Sequence, residues 1–426
     1  MRLSRWVLFV LALTPSLAWA QDKQSGLLLT GAKVLDPAGQ TLLEGYGVLI
    51  VGERIAKVAP AAEVTASAEA RSFDLSGLTL VPGLIDAHTH LLLYPYDETS
   101  WNDQVLKESL ELRTVRAVAA AKATLEAGFT TLRDLGTEGA GYADVALRDA
   151  IAMGIVPGPR VLASTRALVA TGCYGPMGFD PRWDVPKGAQ VADGVDGLRK
   201  AVRQQIAAGA DWIKVYADYR RKPGAPSTPT YSQEELNAIV DEARSADLPV
   251  AAHATIDEAI RRSVLAAVTT IEHGSNASEE IFTLMREHEV VLCPTLAAGE
   301  AIARYAGWEP GTPDPPRIKR SKEMFARALE SGVAIACGSD VGVFAHGDNV
   351  RELELMVAYG MSPGQALQAA TITAARLLNK QDDLGRIAEG YLADIVAVRG
   401  NPLEDPSSLR NVVIVLKDGR IALDRR

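Results

Sequence analysis

The stretch GLIDAHTHLL, Gly83 to Leu92, puts two histidines one residue apart at the end of an apolar run. In an extended strand successive side chains point to opposite faces, so His88 and His90 point the same way. The chain has only six histidines, and it places two of them here. Two imidazoles converging on one point suggest metal ligation. The pair alone also fits a one-metal site or ordinary packing, so the rest of the chain has to supply partners.

Outward from this stretch the text alternates. Apolar, β-branched runs recur at LVPGLIDAHTH, FTTLRD, PRVLAST, WIKVYA, PVAAHA, TTIEHG, VVLCPT and VAIACGSD, eight in all. Helix-like stretches such as RTVRAVAAAKATLEAG and VDGLRKAVRQQIAAG lie between them. Two helices open on capping boxes, Ser232 with Glu235 and Ser362 with Gln365, and Pro363 stands where its missing N–H costs nothing. Eight strand–helix repeats with near-continuous apolar strands predict an α/β fold, a (β/α)8 TIM-type barrel over residues 81–380. Residues 21–80 and 381–426 have a different texture: short alternating strands, with turns at Gly52-Glu53-Arg54 and Asp418-Gly419. Neither end can bury a core alone, which predicts one small composite β-sandwich domain built from both.

With 426 residues, 47% hydrophobic and 23% charged, the chain has an ordinary globular composition. A net charge of -9 argues against a nucleic-acid-binding surface. Residues 1–20, MRLSRWVLFVLALTPSLAWA, read as a signal peptide: Arg2 and Arg5, an apolar core, then Ala18-Trp19-Ala20. The apolar core is too short for a membrane span, which takes about 20 residues. A periplasmic or secreted protein, free of the membrane after cleavage, is the expectation. Three cysteines do not make a disulfide framework. Cys293 and Cys337 sit in strand-like runs and read as buried thiols, with a disulfide between them left open. Cys173 lies in a Gly-rich loop, where exposure is the expectation.

The chemically interesting residues fall on the strands. His88 and His90 end the first run, Lys214 lies in the fourth, His253 ends the fifth, His273 the sixth and Asp340 the eighth. Barrel enzymes build their active sites at the C-terminal ends of strands. Taken singly, His253 and His273 read equally well as hydrogen-bonded, half-buried side chains, and Asp340 as a turn cap. Together on one barrel they read as a metal site. A protonated Lys214 would repel metals, but burial favours the neutral amine, which can take up carbon dioxide as a carbamate. Its two oxygens could bridge two metals; an ion pair with Asp211 or Asp218 is the alternative. Two divalent ions about 3.5–4 Å apart would activate water and polarise a carbonyl, with Asp340 passing the proton to a leaving amine. The reaction class is metal-assisted hydrolysis of a C–N bond or, less specifically, of an ester or lactone.

The motifs GLIDAHTH, WIKVYA, AAHA, IEHGS and GSDVGVFAHGDN, in that order, resemble those of the amidohydrolase superfamily. The flanking β segments and the closing stretch ATITAARLL…GRIAEGYLADIVAV are similar as well. The resemblance implies His88 and His90 on a more buried metal and His253 and His273 on a more exposed one. It further implies a carboxylated Lys214 between them, and Asp340 as ligand and proton shuttle. Within the superfamily the chain looks most like the imidazolonepropionase-related branch, especially its metal-dependent carboxypeptidases, dipeptidases and ochratoxin-hydrolysing amidases. Cys173-Tyr174-Gly175 replaces a histidine that many relatives carry in the corresponding loop. The expected reaction is cleavage of an amide bond to a C-terminal amino acid in dipeptides, N-acyl amino acids or an ochratoxin A-like amide of phenylalanine. A lactam or cyclic-amidine hydrolase or a deaminase would use the same metals, and an exported metal- or solute-binding protein is the non-enzyme alternative. N/O ligation suits zinc, with cobalt, manganese or nickel open. A substrate carboxylate needs a partner, for which Tyr216, Arg133 and the basic loop from Arg220 are candidates. His346 is expected to wall the pocket, and His288 to lie on the surface at the opposite end. Symmetric homo-oligomers are common for enzymes of this size.

Overall fold

The computed structural model describes residues 26–180, 182–222 and 224–426; the signal-peptide reading of 1–20 lies outside them. The fold is mixed α/β. Leu84–Thr89, Phe129–Asp134 and Arg160–Ala163 pair in parallel as one sheet. Leu168–Val169, Ile213–Tyr216, Val250–Ala254, Thr270–His273 and Val291–Cys293 continue in parallel in a second. Trp212 N–H reaches the Ala163 carbonyl at 3.2 Å, joining the two sheets on one side. On the other side, parallel bridges link Leu292 to Ile335 and Val341 to Thr89. Every residue of Leu84–Thr89, Phe129–Asp134 and Ile213–Tyr216 is buried, as expected for strands covered on both faces.

Helices fill the connections, among them Leu110–Glu126, Gly194–Ala207, Gln233–Arg244 and Pro316–Ser331. Both capping boxes form, each with the Ser side chain and the Glu235 or Gln365 side chain bonding reciprocally. Among the described residues no helix is long and apolar enough to cross a membrane.

Both chain ends share sheets. Leu78–Pro82 pairs antiparallel with Ile395–Arg399 and parallel with Lys33–Asp36, inside a six-stranded sheet that ends at Arg420–Asp424. A four-stranded sheet of Arg54–Pro60, Tyr46–Val51, Leu27–Thr30 and Arg71–Asp74 shares its core, where Leu29, Ile50, Leu80, Ile395 and Ile414 meet. The run LVPGLIDAHTH is therefore two strands in two sheets, divided at Gly83. A Cβ there would sit 2.2 Å from Thr130 Oγ1 and 2.9 Å from Asp394 Cβ, so only glycine lets the chain pass. The run VAIACGSD forms an isolated bridge at Ile335, with a second at Val341 just past it, instead of a regular strand. The Cys337 N–H is drawn to the Ala369 carbonyl at 3.0 Å, and Asp340 turns into the left-handed region at φ 60°. All three cysteines are free and buried, and Cys173 is only 3% exposed because its loop folds inward.

One cation ties the strand Arg160–Ala163 to the C-terminal segment. Arg160 Nη1 donates to Asp394 Oδ2 at 2.9 Å, and Nη2 is paired with Asp418. Burial works to raise the Asp418 carboxyl, but Arg160 and Lys417 outweigh it and hold it below its ordinary value. Arg160→Met takes the cation from Asp394 and leaves Asp418 to Lys417 alone, and is expected to cost about 3 kcal/mol, read as a lowered urea midpoint. Because the folded Asp418 value is depressed, that contribution is complete at neutral pH. The gap between wild type and variant should narrow as pH falls below about 4.

Candidate metal centre

The strand alternation places His88 and His90 on one side of Leu84–Thr89, facing Asp340 from the segment that bridges back to it. Asp340 Oδ1 lies 3.6 Å from His88 Nε2 and 3.3 Å from His90 Nε2. One ligand atom from each of the three lies within 4.8 Å of the others. His273 follows, its ring centroid 5.2 Å from that of His88, and His253 is 4.5 Å from His273. Tyr216 stacks on His253 at 4.5 Å. Lys214, two residues earlier and thus on the same strand face as Tyr216, is 1% exposed.

The polar groups around these residues aim them. His88 Nδ1 donates to Glu272 Oε2 at 2.7 Å and His90 Nδ1 to the Gly136 carbonyl at 2.9 Å. Both rings therefore turn Nε2 toward Asp340. His273 Nδ1 is hydrogen-bonded to Thr295 Oγ1 at 2.7 Å. Asp86 clasps the two sides together: it accepts from the amides of His88 and Ser339, from Ser339 Oγ and from Asn349 Nδ2. Such outer hydrogen bonds fix the orientation of ligating histidines.

Burial and charge set the protonation states. Burial, helped by Lys214, lowers His88 to about 4, and burial with His88 lowers His273 to about 3. Burial disfavours a charge on His90 as well, but the hydrogen bond and charge of Asp340, with Glu138 and Asp134, win and raise it to about 9. Burial also raises Asp340, yet His88 and His90 hold it well below the carboxylate range. Desolvation lowers Lys214. Its candidate partners are engaged elsewhere: Asp211 with Arg148 at 2.7 Å, and Asp218 with the Thr255 and Ile256 amides. The site thus offers neutral imidazole nitrogens and an ionised carboxylate, and it draws a positive charge to His90. A divalent cation fits that donor set.

Two expected substrate residues lie elsewhere. Arg133 is 0% exposed, its guanidinium bonded to Glu272 Oε1 at 2.9 Å and to the Ala87 carbonyl, and held over the Trp212 ring. It is a buried brace for Glu272 and does not reach the cavity. His346 turns inward, its Nε2 donating to the Leu93 carbonyl at 3.0 Å, and does not line the cavity. Tyr216 does line it, and His288 is exposed. The sequence reading missed Asp86, Glu272 and Glu138. Glu138 accepts from Trp101 Nε1 at 2.8 Å and from Tyr174, the residue of the loop that lacks the histidine. The acidic neighbours of the histidines in IDAHTH and IEHG were the available signal. The cavity measures about 390 Å³, room for a small molecule.

The sequence profile of the Amidohydrolase family matches residues 79–422. The chain belongs to the amidohydrolase family. This amidohydrolase is 32% identical to the ochratoxinase of Aspergillus niger over 355 residues, 76% of this chain and 71% of that protein. The crystal structure of a Xaa-Pro dipeptidase with methionine bound in its active site superposes with a TM-score of 0.84 at 33% identity, covering 93% of this chain and 99% of that one. A prolidase complexed with N-methylphosphonate-L-proline gives 0.82 at 34% identity, covering 94% and 100%. The protein is a hydrolase of C–N bonds, acting on small-molecule amides.

Asp86→Ala leaves four donors buried without an acceptor. At roughly 1–3 kcal/mol each where none relaxes, the loss should exceed about 3 kcal/mol. A urea midpoint within error of wild type would show that Asp86 does not hold the two segments together.

Proposed function

We propose that the protein is an exported, binuclear metal-dependent amidohydrolase that cleaves the amide bond to a C-terminal amino acid. Dipeptides, N-acyl amino acids and ochratoxin A-like amides of phenylalanine are the substrates. The observation that carries this reading is the convergence of His88, His90, His253, His273 and Asp340 on one cavity, with a buried Lys214 that forms no ion pair among the described residues and sits over the Tyr216 ring. We read the parallel strands as a (β/α)8 barrel and the two chain ends as a composite β-sandwich packed on it.

His88 and His90 would hold one divalent ion, His253 and His273 a second, with Asp340 on the first and a carbamate on Lys214 between them. The neutral amine that burial favours is the form that takes up carbon dioxide, releasing one proton. Bound there, zinc or another divalent ion supplies Lewis acidity toward water and toward the amide carbonyl. Asp340, ionised at rest, takes the proton of the attacking water and returns it to the leaving amine. Glu272 keeps Nδ1 of His88 protonated, so that Nε2 presents its lone pair. Tyr216, on the wall beside His253, donates its hydroxyl to the substrate's terminal carboxylate.

Metal analysis combined with a screen of dipeptides, N-acyl amino acids and ochratoxin A tests the reading. Release of a free amino acid supports it, and release of ammonia would favour a deaminase. Lys214→Ala should lose a metal equivalent and activity together; full activity in that variant refutes the two-metal centre. Tyr216→Phe should raise KM about tenfold with kcat little changed, the loss expected for one hydrogen bond to a charged group.

A further inference from the structure

Three arginines line the cavity that holds the histidines: Arg220 at the end of Asp218–Arg220, and Arg317 and Arg320 one turn apart on Pro316–Ser331. All three are exposed at its mouth. The carboxylates of the same cavity, Glu138 and Asp340, are engaged deeper in, with Trp101 and Tyr174 and with His88 and His90 respectively. Among the described residues none of the three arginines forms an ion pair. Arg220 is held over the Tyr219 ring, 5.1 Å from its centroid. Desolvation, then repulsion from Arg320 and Arg220, lowers Arg317, so the three charges feel one another across the opening. On a chain of net charge -9, an uncompensated positive rim around a substrate cavity focuses the field toward anions. Guanidinium groups bind carboxylates in a planar, two-pronged geometry.

We propose that Arg220, Arg317 and Arg320 bind a second anionic group of the substrate, a carboxylate on the acyl side of the scissile amide. This rests on the amidohydrolase reading above, in which the terminal carboxylate lies against Tyr216. The acyl group is then the part left to reach the mouth. Preferred substrates carry negative charge at both ends, as N-dicarboxyacyl amino acids and acidic peptides do.

The test compares N-succinyl-L-phenylalanine with its neutral near-isostere N-succinamoyl-L-phenylalanine on the metal-loaded full chain. The expected kcat/KM ratio is about tenfold or more in favour of the succinyl compound, shrinking as salt is added. In the Arg317→Gln/Arg320→Gln double variant the ratio should fall to about twofold or less. A ratio within each protein cancels any general loss of folding or metal. A ratio near one in wild type, or one unchanged in the double variant, overturns the proposal. Should neither compound be cleaved, the reading of the reaction fails, and calorimetric binding of the same pair still reports on the rim. Tighter binding of the succinyl compound that the double variant loses sustains the proposal, and equal binding overturns it.

Discussion

A carboxylate sealed away from water must be matched by positive charge or by hydrogen-bond donors, and Glu272 is such a group. It is 0% exposed, with Arg133 on one oxygen and His88 on the other. Burial alone would push its proton affinity up, but Arg133 and His88 hold it far below the ordinary range. Arg133 in turn reaches the Ala87 carbonyl, Thr270 and Cys293, and lies 4.3 Å from the Trp212 ring centroid. Groups from four strands thereby meet at one anion, and the orientation of the His88 imidazole follows from how that anion is satisfied. The packing of the strand interior and the chemistry at its rim share one charge balance.

The wall on the other side is aromatic. Trp101, Tyr174, Tyr216 and Tyr219 form a run of ring contacts, with Tyr174 4.4 Å from Tyr216 and 5.1 Å from both Trp101 and Tyr219. Glu138 anchors two of these rings by their polar tips. Rigid rings of this kind give a large contact surface while losing little conformational freedom. The inner cavity is therefore shaped by rings and imidazoles, and charged side chains other than Asp340 and Glu138 enter only at the mouth.

What the sequence made legible was what depends on short periods. His88 and His90 could be read as a pair because strand alternation is local, and both capping boxes because a helix start spans four residues. The parallel runs were visible as apolar stretches. Arg133 was misplaced as a substrate residue because a cation near the C-terminal end of a strand reads as facing the pocket, whereas its partner Glu272 is 139 residues away. Asp86 and Glu272 were passed over for the same reason: they act on other residues, and nothing in their own surroundings shows which. The division at Gly83 was hidden inside a continuous apolar run, because two sheets there use the same kind of residue. His346 follows the eighth apolar run as a pocket residue would, but a backbone carbonyl at Leu93 takes its ring.

His273, Thr295 and Asp340 have φ values of 72°, 51° and 60°, a region that side chains with a Cβ enter at a cost. Thr295 is the most telling, since a β-branched residue is poorly suited to it, yet its hydroxyl is the group that holds His273. Glycine or asparagine would sit there more comfortably. Repairs that suit the backbone at these positions would therefore yield a sturdier protein in which His273 and Asp340 are less firmly aimed. An engineer seeking heat resistance should leave these three turns alone and look to the helices and the outer β-sheets.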